Sequence, residues 1–155
     1  MAIKVGDEAP DFTFTLKNGS PASLKSLRQQ RKAVVLYFYP KDDTPGCTAQ
    51  ACSFRDSYEA FSDAGAEVIG VSSDDSQSHD SFASKHRLPF SLVSDADGSL
   101  RKRYGVPRSF LGLMPGRVTY VIDRDGIVQH VFDSQLQATR HISEALDVLK
   151  RLSIS

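Results

Sequence analysis

Ala33-Val34-Val35-Leu36-Tyr37-Phe38-Tyr39 is the stretch on which the fold turns, an unbroken apolar run rich in β-branched and aromatic side chains. A strand with one wet face would alternate apolar and polar residues. This run does not, so it predicts a central strand covered on both faces. Pro40 ends the strand, and Lys41-Asp42-Asp43 follows as a polar loop. Thr44-Pro45 then supplies the N-cap and first-position residues of a helix. Ala51, Phe54, Tyr58 and Phe61 recur at helical spacing beyond it, predicting helix as far as Gly65.

Working outward, Glu67-Val68-Ile69-Gly70-Val71 predicts a second buried strand and Ser76 to His86 a second helix, so the chain alternates as in a parallel βαβ layer. Upstream lie an extended segment from Phe12 to Leu16, a tight turn at Asn18-Gly19 and a short helix at Ser23-Leu24-Lys25-Ser26-Leu27. Downstream come Phe90-Ser91-Leu92-Val93, a turn at Asp97-Gly98, and a brief helical piece ending near Tyr104-Gly105. Val118 to Ile122 and Ile127 to Phe132 flank Asp123-Arg124-Asp125-Gly126 and predict an antiparallel hairpin. Ile142, Ala145, Leu146 and Leu149 mark the apolar face of a closing helix. The expected fold is α/β, a mixed central sheet between helices with a C-terminal hairpin and helix. That order is thioredoxin-like.

The length of 155 residues and the ordinary globular composition point to one domain, residues 1–155. Basic and acidic residues number 19 each, with no run of one sign to track phosphates, so nucleic acid is not an expected partner. No apolar stretch approaches the roughly 20 residues that cross a bilayer, and the first residues lack the apolar segment of a secretory signal. A cytoplasmic protein is expected, with a plastid as the alternative if a transit peptide has been removed. No Gly-rich phosphate loop, dinucleotide fingerprint or Gly-x-Ser-x-Gly elbow occurs, and His79, His86, His130 and His141 lack metal-ligand spacing. Neither a metal nor an organic cofactor is expected, and the histidines read as surface or structural residues.

Cys47 and Cys52 are the only cysteines. That is too few for a secreted disulfide scaffold or a thiolate-rich zinc site. With Thr44 as N-cap, Cys47 falls in the first helical turn, where unpaired N–H groups and the helix dipole favour an anion. Gly46 beside it leaves the backbone uncovered for a small substrate. The plainer reading of Cys47 is a small buried hydrophobe on the stripe of Ala51, Phe54 and Tyr58. A partner five residues on is rotated by about 140° and raised by about 7.5 Å, which puts the two Cα atoms about 8.6 Å apart. A disulfide needs less than about 7 Å, so the two sulfurs can bond only if the first turns unwind. Cys52 groups on the helical wheel with Arg55, Asp56 and Glu59, and its plainer reading is an incidental surface thiol.

The phrase Tyr39-Pro40-Lys41-Asp42-Asp43-Thr44-Pro45-Gly46-Cys47-Thr48 resembles the Pro-x-x-x-Thr-x-x-Cys motif of the peroxiredoxins. With Cys52 five residues later it is similar to their Q-type, or bacterioferritin-comigratory-protein, branch. The likeness runs from Val5-Gly6-Asp7-Glu8-Ala9-Pro10-Asp11-Phe12 to Gly116-Arg117-Val118-Thr119-Tyr120-Val121-Ile122-Asp123. The resemblance implies a thiol-dependent peroxidase acting on hydrogen peroxide and organic hydroperoxides, with Cys47 as the peroxidatic and Cys52 as the resolving cysteine. It further implies that Pro40 shields the sulfur and that the Thr44 hydroxyl bonds the thiolate or the peroxide. Arg117 would bring its charge into the pocket from a strand start. The implied partners are the hydroperoxide and thioredoxin or a similar dithiol reductant, and the implied state is a monomer. Gln50 departs from the family pattern, where many relatives carry Glu.

Two other readings compete with the peroxidase. A disulfide reductase of thioredoxin type would need Cys-x-x-Cys, whereas this pair is Cys-x-x-x-x-Cys. A redox sensor or holdase would use the same disulfide to melt the helix and expose Phe54, Tyr58 and Phe61.

Overall fold

The computed structural model describes residues 3–106, 108–109, 114–134 and 137–154. The apolar run forms β3 (Ala33–Phe38), every residue of which is buried. It pairs in parallel with β4 (Ala66–Ser72) on one side and antiparallel with β8 (Val118–Ile122) on the other. With β5 (Ser91–Ser94) beside β4 and β9 (Val128–Asp133) beside β8, a five-stranded mixed sheet results, in the order β5-β4-β3-β8-β9.

The pleat of β3 divides the core in two. Val35 and Tyr37 face a layer made by α2 (Pro45–Asp56), α3 (Tyr58–Asp63), α4 (Ser76–His86) and α6 (Arg140–Ile154). Val34, Leu36 and Phe38 face α1 (Leu24–Gln29), α5 (Ser99–Tyr104) and the rings of Phe12 and Phe14. Period-two alternation of large side chains on a strand buried from both sides accounts for both clusters. A small hairpin of β1 (Thr13–Thr15) and β2 (Pro21–Ser23) leads into α1, whose N-cap Ser23 makes a reciprocal capping box with Ser26. A further short pair joins β6 (Arg108–Ser109) to β7 (Met114–Pro115).

The expected strands, the hairpin and the helix over 76–86 are all present. One expectation is corrected. The helix leaving Pro40 does not run through to Gly65: it breaks at Ser57 and resumes as α3. Ser53, Asp56 and Ser57 cluster there, and short polar side chains compete with the helical backbone for hydrogen bonds. The strands at Pro21–Ser23, Arg108–Ser109 and Met114–Pro115 are too short to leave a periodic signature in the sequence.

Candidate active site

The chain leaves β3 through buried Tyr39 and Pro40, crosses the loop at residues 41–43, and enters α2 at Pro45 with Thr44 in the extended conformation of an N-cap. Cys47 therefore sits in the first turn of a twelve-residue helix, against the core, and is 1% exposed. Arg117 lies in the residue pair just before β8, seventy residues away in sequence. Its guanidinium reaches under the helix start, with Nη2 3.3 Å from Cys47 Sγ. The Arg117 side chain is itself buried, at 4% exposure. A guanidinium held this close, out of water, is a fixed positive charge directed at the sulfur.

Gln50, one turn after Cys47, is fully buried, and its Oε1 accepts a hydrogen bond from Arg117 Nη1. The same guanidinium thus spans the sulfur and an amide oxygen on one face of α2. Because the amide is neutral, it orients Arg117 without competing for its charge. Among the described residues, neither the buried Gln50 Nε2 group nor the buried Tyr37 hydroxyl has a hydrogen-bond partner. Tyr37 stacks on Phe54 of α2 with ring centroids 4.6 Å apart. Burial first, with the electrostatic effect of neighbouring Cys47 adding to it, pushes the Tyr37 hydroxyl well above its usual range, so it stays a neutral phenol.

The Thr44 hydroxyl makes a contact that the sequence did not point to. It neither caps the helix nor bonds the sulfur. It donates to the Lys41 carbonyl at 3.0 Å, the backward hydrogen bond open to a Thr at the end of a turn. Cys52 lies on the same helix as Cys47, half-buried, and both are free thiols. Since α2 is continuous from Pro45 to Asp56, the helical geometry that separates two Cα atoms five apart by about 8.6 Å applies. The structure thus holds the pair in its unbonded arrangement.

One constellation was not read from the sequence. His79, expected as a surface or structural residue away from the cysteine motif, is buried with Nδ1 2.7 Å from Oδ2 of Asp42, in the loop before α2. Asp42, Asp74 and His79 bring three ligand-type atoms within 4.8 Å of one another. Each is already taken up by hydrogen bonds: Asp74 Oδ2 by the Asp42 amide and Ser72, Asp42 Oδ2 by Ser78 and His79. The group is a closed polar network, not an open coordination shell.

The AhpC/TSA family profile matches residues 5–131. The chain belongs to the AhpC/TSA family. Within it, the chain is 55% identical over 148 residues to chloroplastic peroxiredoxin Q of Arabidopsis thaliana, covering 96% of this chain and 68% of that one. It is 52% identical over 150 residues to chloroplastic peroxiredoxin Q of Sedum lineare, covering 97% and 80%. Among solved structures, peroxidoxin BcpB of Mycobacterium tuberculosis superposes with a TM-score of 0.86 at 37% identity, over 97% of this chain and 98% of that one. Peroxiredoxin Q of Xanthomonas campestris gives 0.84 at 29% identity, over 97% of each. This AhpC/TSA protein is accordingly a peroxidase with the thioredoxin-like fold of the peroxiredoxins.

Proposed function

We propose that Cys47 is the peroxidatic and Cys52 the resolving residue of a thioredoxin-recycled peroxidase. The contact that carries this reading is Arg117 Nη2 at 3.3 Å from Cys47 Sγ, in the first turn of a helix. The thiolate attacks the terminal oxygen of a hydroperoxide in line with the O–O bond. The O–O bond breaks, and the departing oxygen takes a proton and leaves as water or an alcohol, giving Cys47 sulfenic acid. Charge grows on that oxygen as the bond stretches, and Arg117 is placed to stabilise it. Thr44 Oγ1, with its own proton committed to Lys41, is free to accept a hydrogen bond from the peroxide O–H. Pro40, buried where β3 gives way to the loop, takes the role of shielding the sulfur from water. Near-complete burial of Cys47 favours the narrow –O–OH end of either hydrogen peroxide or an organic hydroperoxide.

In the second half of the cycle the Cys52 thiolate attacks the sulfenic sulfur, an S–S bond forms, the S–O bond breaks, and the departing hydroxide takes a proton from solvent and leaves as water. The first turns of α2 unwind for this step. A dithiol reductant of thioredoxin type then exchanges with the disulfide and restores both thiols. The pair lies within one chain, so the cycle needs no second subunit and a monomer suffices. Of the two compartments expected from the sequence, the plastid has the support of the plant relatives' names.

The test is peroxide consumption by wild type, Cys47→Ser and Cys52→Ser with and without a thioredoxin system. Cys47→Ser is expected to consume no peroxide, and Cys52→Ser to complete one oxidation and then stall. Turnover by Cys47→Ser would reject the assignment. Oxidation-dependent partner binding with negligible turnover would favour the redox sensor or holdase instead.

A further inference from the structure

The loop before α2 is gripped from one direction. Asp42 is 5% exposed. Its Oδ2 accepts from Ser78 Oγ at 2.9 Å and lies 2.7 Å from His79 Nδ1, while its Oδ1 accepts from the Tyr39 hydroxyl. Its backbone N–H donates to Asp74 Oδ2 at 2.7 Å. Asp43, held in the left-handed region at φ 61, pairs with Lys85 Nζ at 3.1 Å and faces His86 Nε2 at 3.6 Å. Ser78, His79, Lys85 and His86 all belong to α4. At the other end of α2, Arg55 Nη1 donates to the His86 carbonyl at 2.9 Å. One helix therefore holds both the entry loop and the last turn of the helix that carries the two cysteines.

The charge state at the centre of this grip follows from its partners. His79 Nδ1 faces the Asp42 carboxylate and Nε2 lies 3.0 Å from the Val93 carbonyl. Neither is a donor, so both ring nitrogens carry hydrogen and His79 is an imidazolium. The groups around it are the Asp42 and Asp74 carboxylates, the Tyr39 hydroxyl at 3.5 Å and the Val93 carbonyl, with Ser78, Lys85 and His86 on its own helix. Lys17 and Asp80 line the same surface groove. Burial acts to lower its pKa, but the hydrogen bond and charge of Asp42 outweigh it and hold the group above the ordinary imidazole value.

We infer that His79 is a positioning residue which, as an imidazolium, locks the loop at residues 40–44 onto α4 and keeps the first turns of α2 wound until Cys47 has been oxidised. The inference rests on the reading of Cys47 and Cys52 given above. The wound helix is the form that reacts with peroxide, because Arg117 meets the sulfur only there. The unwound helix is the form in which Cys52 can reach it. Contacts confined to the wound form set the balance between the two. Removing the imidazolium slows attack on peroxide, speeds disulfide formation, and lowers the fraction of Cys47 driven on to sulfinic acid by excess peroxide. A raised native pKa means the clamp is complete below the unfolded imidazole value of about 6.5 and is lost as pH rises through the native value. Alkaline pH thus does to the wild type what His79→Gln does at any pH.

Hydrogen exchange of the reduced protein tests this without reference to peroxidase activity. Rates for amides 44–52, corrected for the intrinsic pH dependence, are compared in wild type, His79→Gln and Ile69→Val, the last a modest core change on the opposite sheet face. Losing a charged hydrogen bond is expected to raise exchange of 44–52 in His79→Gln by about tenfold or more, with β8 and α6 unchanged. The wild type should show the same rise on the alkaline side, and His79→Gln no further rise. Ser78→Ala, which removes one hydrogen bond to Asp42 and leaves the imidazolium, should act in the same direction more weakly and replaces His79→Gln if that variant does not fold. Exchange at 44–52 that rises no more than in Ile69→Val, or an alkaline rise that persists in His79→Gln, overturns the clamp. The peroxide-treated proteins are then analysed by mass spectrometry for disulfide against sulfinic acid. Faster exchange with an unchanged ratio would leave the clamp standing and count against the Cys47–Cys52 reading instead.

Discussion

Replacing Gly46 with alanine places a methyl group against the charge that serves Cys47. A Cβ at that position would lie 3.1 Å from Arg117 Nη2 and 3.9 Å from its Cζ. An ordinary contact between such atoms is about 3.5 Å or longer, so the guanidinium has to retreat by a few tenths of an ångström. It cannot swing out into water, since it is buried and its Nη1 is held by Gln50. The retreat therefore stretches the 3.3 Å contact between Nη2 and Cys47 Sγ. A hydrogen bond to a charged group contributes about 1.5–3 kcal/mol, and forfeiting roughly half of it costs about 1 kcal/mol. If that loss falls on the transition state, the second-order rate constant with hydrogen peroxide drops about five- to tenfold. The fold should not suffer. Gly46 has no positive φ to preserve, and alanine is favoured over glycine in a helix by up to about 1 kcal/mol. Stopped-flow peroxide consumption and a thermal melt on the same preparation measure both quantities. An unchanged rate constant, or a rate and a melting temperature that fall together, would refute the claim that Gly46 keeps space for Arg117.

Gly70 is tight in a different way. A Cβ there would stand 2.8 Å from Tyr37 Cζ and 2.9 Å from Leu92 Cδ2, so Gly70→Ala should cost about 1–3 kcal/mol by denaturant midpoint. It should slow peroxide reduction as well, because the displaced ring stacks under Phe54 of α2; wild-type stability in this variant would rule out the packing described. His141 offers a pH prediction. Its Nδ1 lies 2.7 Å from the Thr119 hydroxyl, which can donate, and Nε2–H donates to the Ser134 carbonyl at 2.8 Å, so the ring is neutral. Burial first, with the charge of Arg117 adding to it, lowers its pKa to about 4. The unfolded chain binds this proton from about pH 6.5 downward and the folded chain does not. Stability therefore falls as pH drops from about 6.5 to 4, by up to about 3 kcal/mol. His141→Phe should flatten that acid limb in pH-dependent unfolding, and an unaltered limb would show that another group causes it.

The parts of the molecule legible in the sequence are those governed by local pattern. The unbroken run at 33–39 marked a strand buried on both faces, the Thr44-Pro45 step marked the start of α2, and the bounds 76–86 of α4 could be read directly. Spacing alone showed that two cysteines on one helix cannot be bonded while it stays helical. The parts that escaped depend on contacts between distant residues, which periodicity does not encode. His79 and Asp42 are 37 residues apart, and each taken alone looks like an ordinary polar surface residue. Arg117 is one arginine among several by composition; only the family resemblance singled it out, and the fold brings it 70 residues back to the sulfur. The break at Ser57 was missed because the apolar stripe continues across it through Phe61, and the Thr44 hydroxyl because an N-cap position does not dictate which acceptor its proton finds.

In the proposed cycle Cys47 is oxidised first, and α2 must then open for Cys52 to reach it. Intact-mass and peptide mass spectrometry after one equivalent of hydrogen peroxide, with hydrogen exchange across residues 44–56 on the same samples, tests it most directly. A loss of two hydrogens is expected, with a single Cys47–Cys52 linked peptide and exchange-protected amides in the reduced form that become unprotected in the oxidised one. An oxidised chain bearing that disulfide with α2 still fully protected, or oxygen added at Cys52 while Cys47 stays a free thiol, would contradict it.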